Sequence, residues 1–125
     1  MPILFAMPPS PAERLLFICT HNLSRSFTAE LLLRDVPEYE VRSAGTYREA
    51  RVLVTEELVR WADRIFVMEE HHVESLRERF PMAVAEKTII CLEIPDVYQP
   101  LAEDLFEILV DRLAPHLRFE DTEAE

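Results

Sequence analysis

The stretch that decides the fold covers residues 15–26 and reads LLFICTHNLSRS. It opens with a short, continuously apolar run at residues 15–18, which is the pattern of a β-strand buried on both faces. Good helix formers follow over residues 27–34, with no helix breaker before Pro37. A buried strand, a short loop and a helix predict one unit of a parallel α/β sheet, with residues 19–26 at the carboxyl end of the strand.

The same alternation continues along the chain. Further short strands are predicted at residues 40–42, 65–68 and 88–92, the last two of them apolar. Further helices are predicted from Thr55, at residues 70–80 and at residues 101–113. We therefore expect a single α/β domain, with a parallel sheet of four strands flanked by helices on both faces. We place a proline-rich, extended lead-in at residues 1–13, the domain at 14–118 and an acidic tail at 119–125.

Composition excludes several classes of function. The chain has 125 residues and a net charge of −11, so we expect neither nucleic acid nor an anionic membrane as a partner. No apolar run approaches the roughly 20 residues of a membrane span, and the N-terminus lacks the features of a signal peptide. Two cysteines, Cys19 and Cys91, do not form a disulfide framework. A cytoplasmic location is the simplest expectation.

The loop between the first strand and its helix carries the candidate chemistry. Five residues separate Cys19 from Arg25, enough for a loop whose backbone N–H groups point inward at the positive end of a helix. Such a cradle binds a tetrahedral anion, and it explains how an acidic protein could hold phosphate. Cys19 is then the candidate nucleophile in its thiolate form. Arg25 can donate hydrogen bonds to two phosphate oxygens at once.

Other residues of the loop suit its shape. Asn22 tolerates the left-handed backbone that a tight loop needs where glycine is absent. Ser26 can donate a hydrogen bond to the thiolate, and Ser24 is a further candidate for that role. The spacing alone leaves open that Cys19 is an ordinary buried cysteine, because such cysteines are common at strand ends. The strand–loop–helix context favours the functional interpretation.

The loop resembles the phosphate-binding loop of low-molecular-weight protein tyrosine phosphatases. Three further stretches match that family in the right order: SAGT at residues 43–46, WADRIFVME at 61–69 and IPDVY at 94–98. The resemblance spans residues 15–117 and is closest to a compact bacterial branch. It implies a four-stranded parallel sheet and a mechanism through a phosphocysteine intermediate.

The resemblance also implies roles for individual residues. Cys19 matches the nucleophile, Arg25 the phosphate-binding arginine and Asp96 the general acid. Ser43 matches a serine that steadies the loop. The substrate- and phosphate-binding set expected here consists of Thr20, His21, Asn22, Leu23, Ser24, Ser26, Ser43 and Tyr98. Tyr47 is a further candidate, beside Tyr98, for the wall of a slot that holds a phenyl ring.

The sequence departs from the family at three positions. His21 stands where a glycine is usual, Ser24 replaces a second cysteine, and Val97 replaces the proline of the acid segment. These changes affect the shape of the loop, the redox behaviour of Cys19 and the rigidity around Asp96.

Neither a metal nor a cofactor is expected. His21, His71, His72 and His116 lack the spacing of a zinc site and are interpreted as solvated. Cys91 and Trp61 are interpreted as packing residues.

The sequence thus predicts a phosphatase of phosphotyrosine-like monoesters, acting on a phosphorylated protein or a small aryl phosphate and releasing inorganic phosphate. Two alternatives stay open. An arsenate reductase would need Cys91 as a resolving thiol, and a weak phosphate-binding module would bind phosphorylated partners without turnover.

Overall fold

The computed structural model describes residues 11–118. Most of the predicted lead-in and the whole predicted acidic tail lie outside these residues. The elements, in chain order, are β1 (Glu13–Cys19), α1 (Arg25–Leu33), β2 (Tyr39–Gly45), α2 (Glu56–Trp61), β3 (Arg64–Val67), α3 (Glu70–Arg79), α4 (Pro81–Val84), β4 (Thr88–Cys91) and α5 (Glu103–Leu113). Every helix within the described part of the chain is too short or too polar to span a membrane.

The four strands form one parallel sheet in the order β2-β1-β3-β4, which confirms the predicted fold class. Strand β1 is central, paired with β2 on one side and with β3 on the other. Its last residue, Cys19, lies opposite Gly45 of β2. The loop after β1 therefore emerges in the middle of the carboxyl edge of the sheet, where α/β proteins place their ligands.

Two apolar clusters cover the two faces of the sheet, because alternate residues of a strand point in opposite directions. Leu15, Phe17 and Cys19 point to the first cluster, with α1 and α5. Leu16 and Ile18 point to the second cluster, with α2, α3 and α4. Burial of each large apolar side chain contributes roughly 1.5–3 kcal/mol, and the four residues of β1 from Leu15 to Ile18 are fully buried. The central strand, and with it the start of the loop, is thereby fixed.

The helix boundaries differ from the prediction in three places. Helix α1 begins at Arg25, two residues earlier than expected, so Arg25 and Ser26 belong to its first turn. Pro81 does not only end α3; it also opens the short α4, since proline suits the first position of a helix. Helix α5 begins at Glu103, because Leu101 has a left-handed backbone with φ 62°. The predicted start at Thr55 is confirmed: its Oγ1 accepts a hydrogen bond from the N–H of Leu58 at 3.1 Å.

Gly45, the single glycine of the chain, is required by close packing. A Cβ atom there would overlap the carbonyl oxygen of Thr20 and approach the Cβ of Ala50 to 2.7 Å. The backbone of Thr20 belongs to the loop after β1, and its carbonyl accepts a hydrogen bond from the N–H of Tyr47 at 3.0 Å. Gly45 therefore lets β2 and the segment after it approach this loop closely.

We predict that Gly45→Ala lowers the free energy of unfolding by about 1–3 kcal/mol, the typical cost of overpacking a filled site. Thermal or urea unfolding measures the change. Adding Ala50→Gly to this variant should recover only part of the loss, because the overlap with Thr20 remains. Unchanged stability in Gly45→Ala would contradict this packing.

Candidate active site

Asn22 gives the loop its shape. Its backbone has φ 59°, as predicted for a turn without glycine, and its side chain is fully buried. The amide Nδ2 donates to Ser26 Oγ at 2.7 Å and to Ser43 Oγ at 2.9 Å. Ser43 in turn donates to a carboxylate oxygen of Glu30 at 2.5 Å. One side chain thus ties the loop both to the start of α1 and to β2.

The carbonyl groups of four successive residues turn away from the interior of the loop. Those of Cys19, Thr20 and His21 accept hydrogen bonds from the backbone N–H groups of Thr46, Tyr47 and Arg51, each at 3.0 Å. The fourth, that of Asn22, accepts from Arg51 Nε at 3.0 Å. With its carbonyls held by residues 46–51, the loop is free to present N–H groups on its opposite side, as an anion cradle requires.

The sulfur of Cys19 lies among hydrogen-bond donors. The N–H of Asn22 points to it at 3.3 Å and that of Ser26 at 3.5 Å. Ser26 Oγ lies 3.0 Å from the same sulfur. Such groups stabilise negative charge, so this environment suits a thiolate. The structure thereby brings Ser26 to Cys19 as the sequence predicted.

Arg25 is buried, and one edge of its guanidinium is held by the protein. Its Nη1 donates to Glu69 Oε2 at 2.7 Å and to the carbonyl of Ile94 at 2.8 Å. Its Nη2 lies 3.7 Å from Asp96 Oδ2. A buried cation needs such partners, because desolvation without them is costly. The Nη2 side, next to Asp96, remains available for a phosphate.

Glu69 orients Arg25 and is itself held at the start of α3. Its second carboxylate oxygen lies 2.7 Å from His71 Nε2. Burial opposes the ionisation of Glu69, but the hydrogen bond from His71 and the charge of Arg25 outweigh it and lower the pKa of the carboxyl group. Glu69 therefore stays negative beside Arg25.

His72 corrects the prediction that the histidines are solvated. His21, His71 and His116 are exposed, but His72 is fully buried. Burial, together with the nearby charges of His71 and Arg25, lowers its pKa to about 3, so its ring is neutral near pH 7. Nδ1 accepts from the N–H of Glu69 at 3.0 Å, which leaves the proton on Nε2, 2.9 Å from Thr20 Oγ1. His72 therefore links α3 to the loop.

The sequence also failed to reveal Arg51. Besides binding Asn22, its guanidinium lies 4.2 Å from the centroid of the Phe27 ring and its Nη2 lies 3.5 Å from Ser43 Oγ. Its Nη2 is also 3.9 Å from Glu30. Arg51 follows Ala50 in a polar stretch that carries no motif of its own. Its role comes from the tertiary contact between residues 46–51 and the loop.

The residues of the loop and the acid segment enclose a small recess of about 90 Å³. Its lining consists of Cys19, His21, Leu23, Ser24, Arg25 and Asp96. The recess has room for a phosphate group but not for a whole phosphotyrosine side chain. The structure therefore brings the predicted nucleophile, arginine and acid together at one site.

Three predicted binding side chains have other partners. The hydroxyl of Thr20 lies against His72, and the hydroxyl of Ser24 donates to the backbone carbonyl of Tyr98 at 3.0 Å. The ring of Tyr98 is partly buried against the first apolar cluster. Tyr47, the other aromatic candidate, is exposed and lies edge-on to the His21 ring at 5.0 Å between centroids. The loop would therefore meet phosphate with its backbone rather than with these hydroxyls.

Cys91 is remote from Cys19. It pairs with Val67 of β3, and Val67 pairs with Ile18 of β1, so β3 lies between the two cysteines. Two strand spacings amount to about 10 Å, whereas a disulfide joins Cα atoms about 4.4–6.8 Å apart. Cys91 also packs on the second cluster, whereas Cys19 belongs to the first. A direct disulfide between them, as the reductase alternative needs, would require rearrangement of the sheet.

We predict that Arg51→Met weakens the binding of inorganic phosphate or orthovanadate by about tenfold, the value of one hydrogen bond to a charged group. Methionine keeps the apolar contact with Phe27 but leaves the Asn22 carbonyl without its donor. Inhibition constants against an aryl phosphate measure the effect. Arg48→Met, which removes an exposed charge from the same segment, is the control and should have little effect. Equal losses in both variants would mean that Arg51 acts only through its charge.

Comparisons with known proteins show which family the chain belongs to. No protein-family model matches it. A protein-arginine-phosphatase of Geobacillus stearothermophilus is 30% identical over 145 aligned positions, which cover 86% of this chain and 97% of the relative. The site described above lies within a fold shared with solved phosphatase structures.

Three of those structures show the extent of the likeness. The YwlE arginine phosphatase of Geobacillus stearothermophilus matches with a TM-score of 0.58 and 23% identity, over 86% of this chain and 99% of its own. The tyrosine phosphatase Wzb of Escherichia coli K30, in complex with phosphate, matches with 0.68 and 24%, over 84% and 96%. The Erwinia amylovora tyrosine phosphatase AmsI matches with 0.67 and 20%, over 87% and 93%. The chain belongs to the low-molecular-weight protein tyrosine phosphatase family.

Proposed function

We propose that this phosphatase hydrolyses phosphotyrosine-like monoesters through a phosphocysteine intermediate on Cys19. The observation that carries the proposal is the environment of the Cys19 sulfur. It accepts hydrogen bonds from two loop N–H groups and touches Ser26 Oγ, at a recess shared with Arg25 and Asp96. A nucleophile, an anion cradle and an acid are the groups that phosphoryl transfer to sulfur requires.

In the first step, Cys19 forms a bond to phosphorus as the bond from phosphorus to the phenolic oxygen breaks. Arg25 Nη2 and the loop N–H groups bind the three non-bridging oxygens, which move to sulfur with the phosphorus, and they stay bound as the phosphoryl group becomes planar. Asn22 and Arg51 keep the loop in place during this change. The negative charge of the phosphate is balanced locally, although the chain as a whole carries −11.

Asp96 supplies and then removes a proton. Its carboxylate lines the recess, about half exposed, with Oδ2 3.7 Å from Arg25 Nη2. As general acid it protonates the departing phenolic oxygen. As general base it then takes a proton from the water that attacks phosphorus, which breaks the bond to sulfur and releases inorganic phosphate.

The mouth of the recess favours an aromatic leaving group. Leu23 lines the recess and is 54% exposed, and Val97, which follows the lining residue Asp96, is 74% exposed. Tyr47, also exposed, contacts His21, which is another residue of the recess lining. Since only the phosphate fits inside, the ring of a phosphotyrosine would rest against these apolar side chains.

A second candidate substrate is phosphoarginine, favoured by the name of the 30% identical relative. The guanidinium of such a substrate would need an acidic or polar partner at the mouth. Asp96 is the one carboxylate among the residues that line the recess, and the mechanism already uses it. The apolar mouth therefore favours phosphotyrosine in a phosphorylated protein or a small aryl phosphate. Chemistry through a thiolate suits the reducing cytoplasm, where we place the protein.

The test is the hydrolysis of matched phosphotyrosine and phosphoarginine peptides in the presence of a chelator. We expect a kcat/KM roughly 10- to 200-fold higher for phosphotyrosine, the range that apolar contacts with a leaving group provide. Orthovanadate should inhibit. Cys19→Ser should abolish turnover of both peptides and still bind phosphate, because the cradle remains. A preference for phosphoarginine would reverse the substrate assignment. Binding without turnover in the unaltered chain would favour a phosphate-binding module.

The role of Asp96 is tested by comparing two substrates whose leaving groups differ in basicity. A phenolate with the basicity of tyrosine leaves poorly unless it is protonated, and general acid catalysis contributes about 10²- to 10⁴-fold. Asp96→Asn should therefore reduce the hydrolysis of phosphotyrosine by that factor. Nitrophenyl phosphate, whose leaving group is already acidic, should be affected much less. If Asp96→Asn reduces the rate of hydrolysis equally for the two substrates, Asp96 is not the general acid.

A further inference from the structure

We propose that Ser24 and Thr28 are positioning residues for the general acid, because they tie the segment that carries Asp96 to the start of α1. This inference rests on the proposed role of Asp96. Ser24 Oγ donates to the carbonyl of Tyr98 at 3.0 Å. Thr28 Oγ1 accepts from the N–H of Leu101 at 3.1 Å. Two hydroxyl groups, one turn apart, thus hold the acid segment at two points.

The acid segment, residues 93–102, needs such support. It connects β4 to α5 without regular structure, and its ends contain two non-glycine residues with left-handed backbone, Glu93 at φ 57° and Leu101 at φ 62°. That conformation costs roughly 1–2 kcal/mol for each such residue. Arg112 holds the first end, donating to the carbonyls of Leu92 and Glu93 at 3.0 and 3.2 Å.

Asp96 itself lies on the least supported part of this segment. The N–H of Ile94 donates to the carbonyl of Met68 at 2.9 Å, which fixes the chain two residues before Asp96. Val97 follows, exposed, and unlike a proline it leaves its φ free. The Asp96 carboxylate contacts Arg25 Nη2 at 3.7 Å, and the next hydrogen bond along the segment is the one from Ser24 to the carbonyl of Tyr98. The position of the Asp96 carboxylate in the recess that it shares with Cys19 therefore depends on Ser24 as well as on the ion pair with Arg25.

The same geometry redefines what Ser24 does in the loop. A hydroxyl carries one proton, and Ser24 gives it to Tyr98. Ser24 therefore has no proton left to donate to phosphate or to the thiolate, which sequence reasoning had suggested. The hydroxyl instead couples the loop that binds phosphate to the segment that protonates the leaving group. Thr28, fully buried in α1, holds the far end of that segment.

The test compares two substrates and one inhibitor. Ser24→Ala should lower kcat for phosphotyrosine by roughly 3- to 10-fold, the range for one lost hydrogen bond. It should change the hydrolysis of nitrophenyl phosphate little and leave the inhibition constant of inorganic phosphate unchanged. Ser24→Thr keeps the hydroxyl and should recover most of the loss. Thr28→Val should give the same pattern in weaker form.

A double variant separates this inference from the function on which it rests. If Ser24 acts through Asp96, adding Ser24→Ala to Asp96→Asn should cause no further loss with phosphotyrosine. Any of three results would overturn the inference. The losses of activity in the two single variants could multiply in the double variant. Ser24→Ala could lose activity equally with both substrates, or it could bind phosphate more weakly. In each of those cases the leaving-group effect of Asp96→Asn alone still reports whether Asp96 is the acid. If Asp96→Asn loses activity equally with both leaving groups, both the inference about Ser24 and the proposed role of Asp96 as general acid are wrong.

Discussion

The backbone of Asn22 must turn through a left-handed conformation without the help of glycine, and the geometry of the site follows from how the protein holds it there. The chain has one glycine, and close packing uses it at position 45. Asn22 is held by hydrogen bonds from its amide to Ser26 and Ser43 and by the bond from Arg51 to its carbonyl. These contacts offset the conformational cost and direct the loop N–H groups toward the Cys19 sulfur.

A second constraint is electrostatic. The protein carries −11 overall, so a phosphate is attracted only by what the site itself presents. Glu69 holds Arg25 by one edge and stays ionised, and the neutral His72 connects the same turn of α3 to Thr20 without adding charge. The loop, α1 and α3 thus meet around the guanidinium of Arg25 and the N–H groups of the loop, which are donors suited to an anion. This arrangement explains how the chain can bind an anion that its overall field repels.

The extent to which the sequence predicts this structure depends on whether a feature is local. The buried strands and the loop that follows β1 are patterns of adjacent residues, and the fold class, the left-handed Asn22 and the contact between Ser26 and Cys19 were all predictable. His72 and Arg51 were not. Neither belongs to a motif of adjacent residues, and each reaches the loop from a distant part of the sequence. His72 lies 52 positions beyond Thr20, and Arg51 lies 29 beyond Asn22. Ser24 was predicted to act within the loop, but its partner, Tyr98, is 74 positions away.

The central claim is that the loop makes Cys19 the acceptor of the phosphoryl group. The most direct test measures how the phosphoryl group is divided between water and glycerol. Phosphotyrosine and nitrophenyl phosphate are each hydrolysed at the same concentration of glycerol. The ratio of glycerol phosphate to inorganic phosphate is then measured for each substrate. If both substrates pass through one phosphocysteine, the leaving group has departed before water or glycerol attacks. The account therefore predicts the same ratio from both substrates. A ratio that changes with the leaving group would mean direct transfer to water or glycerol and would contradict it.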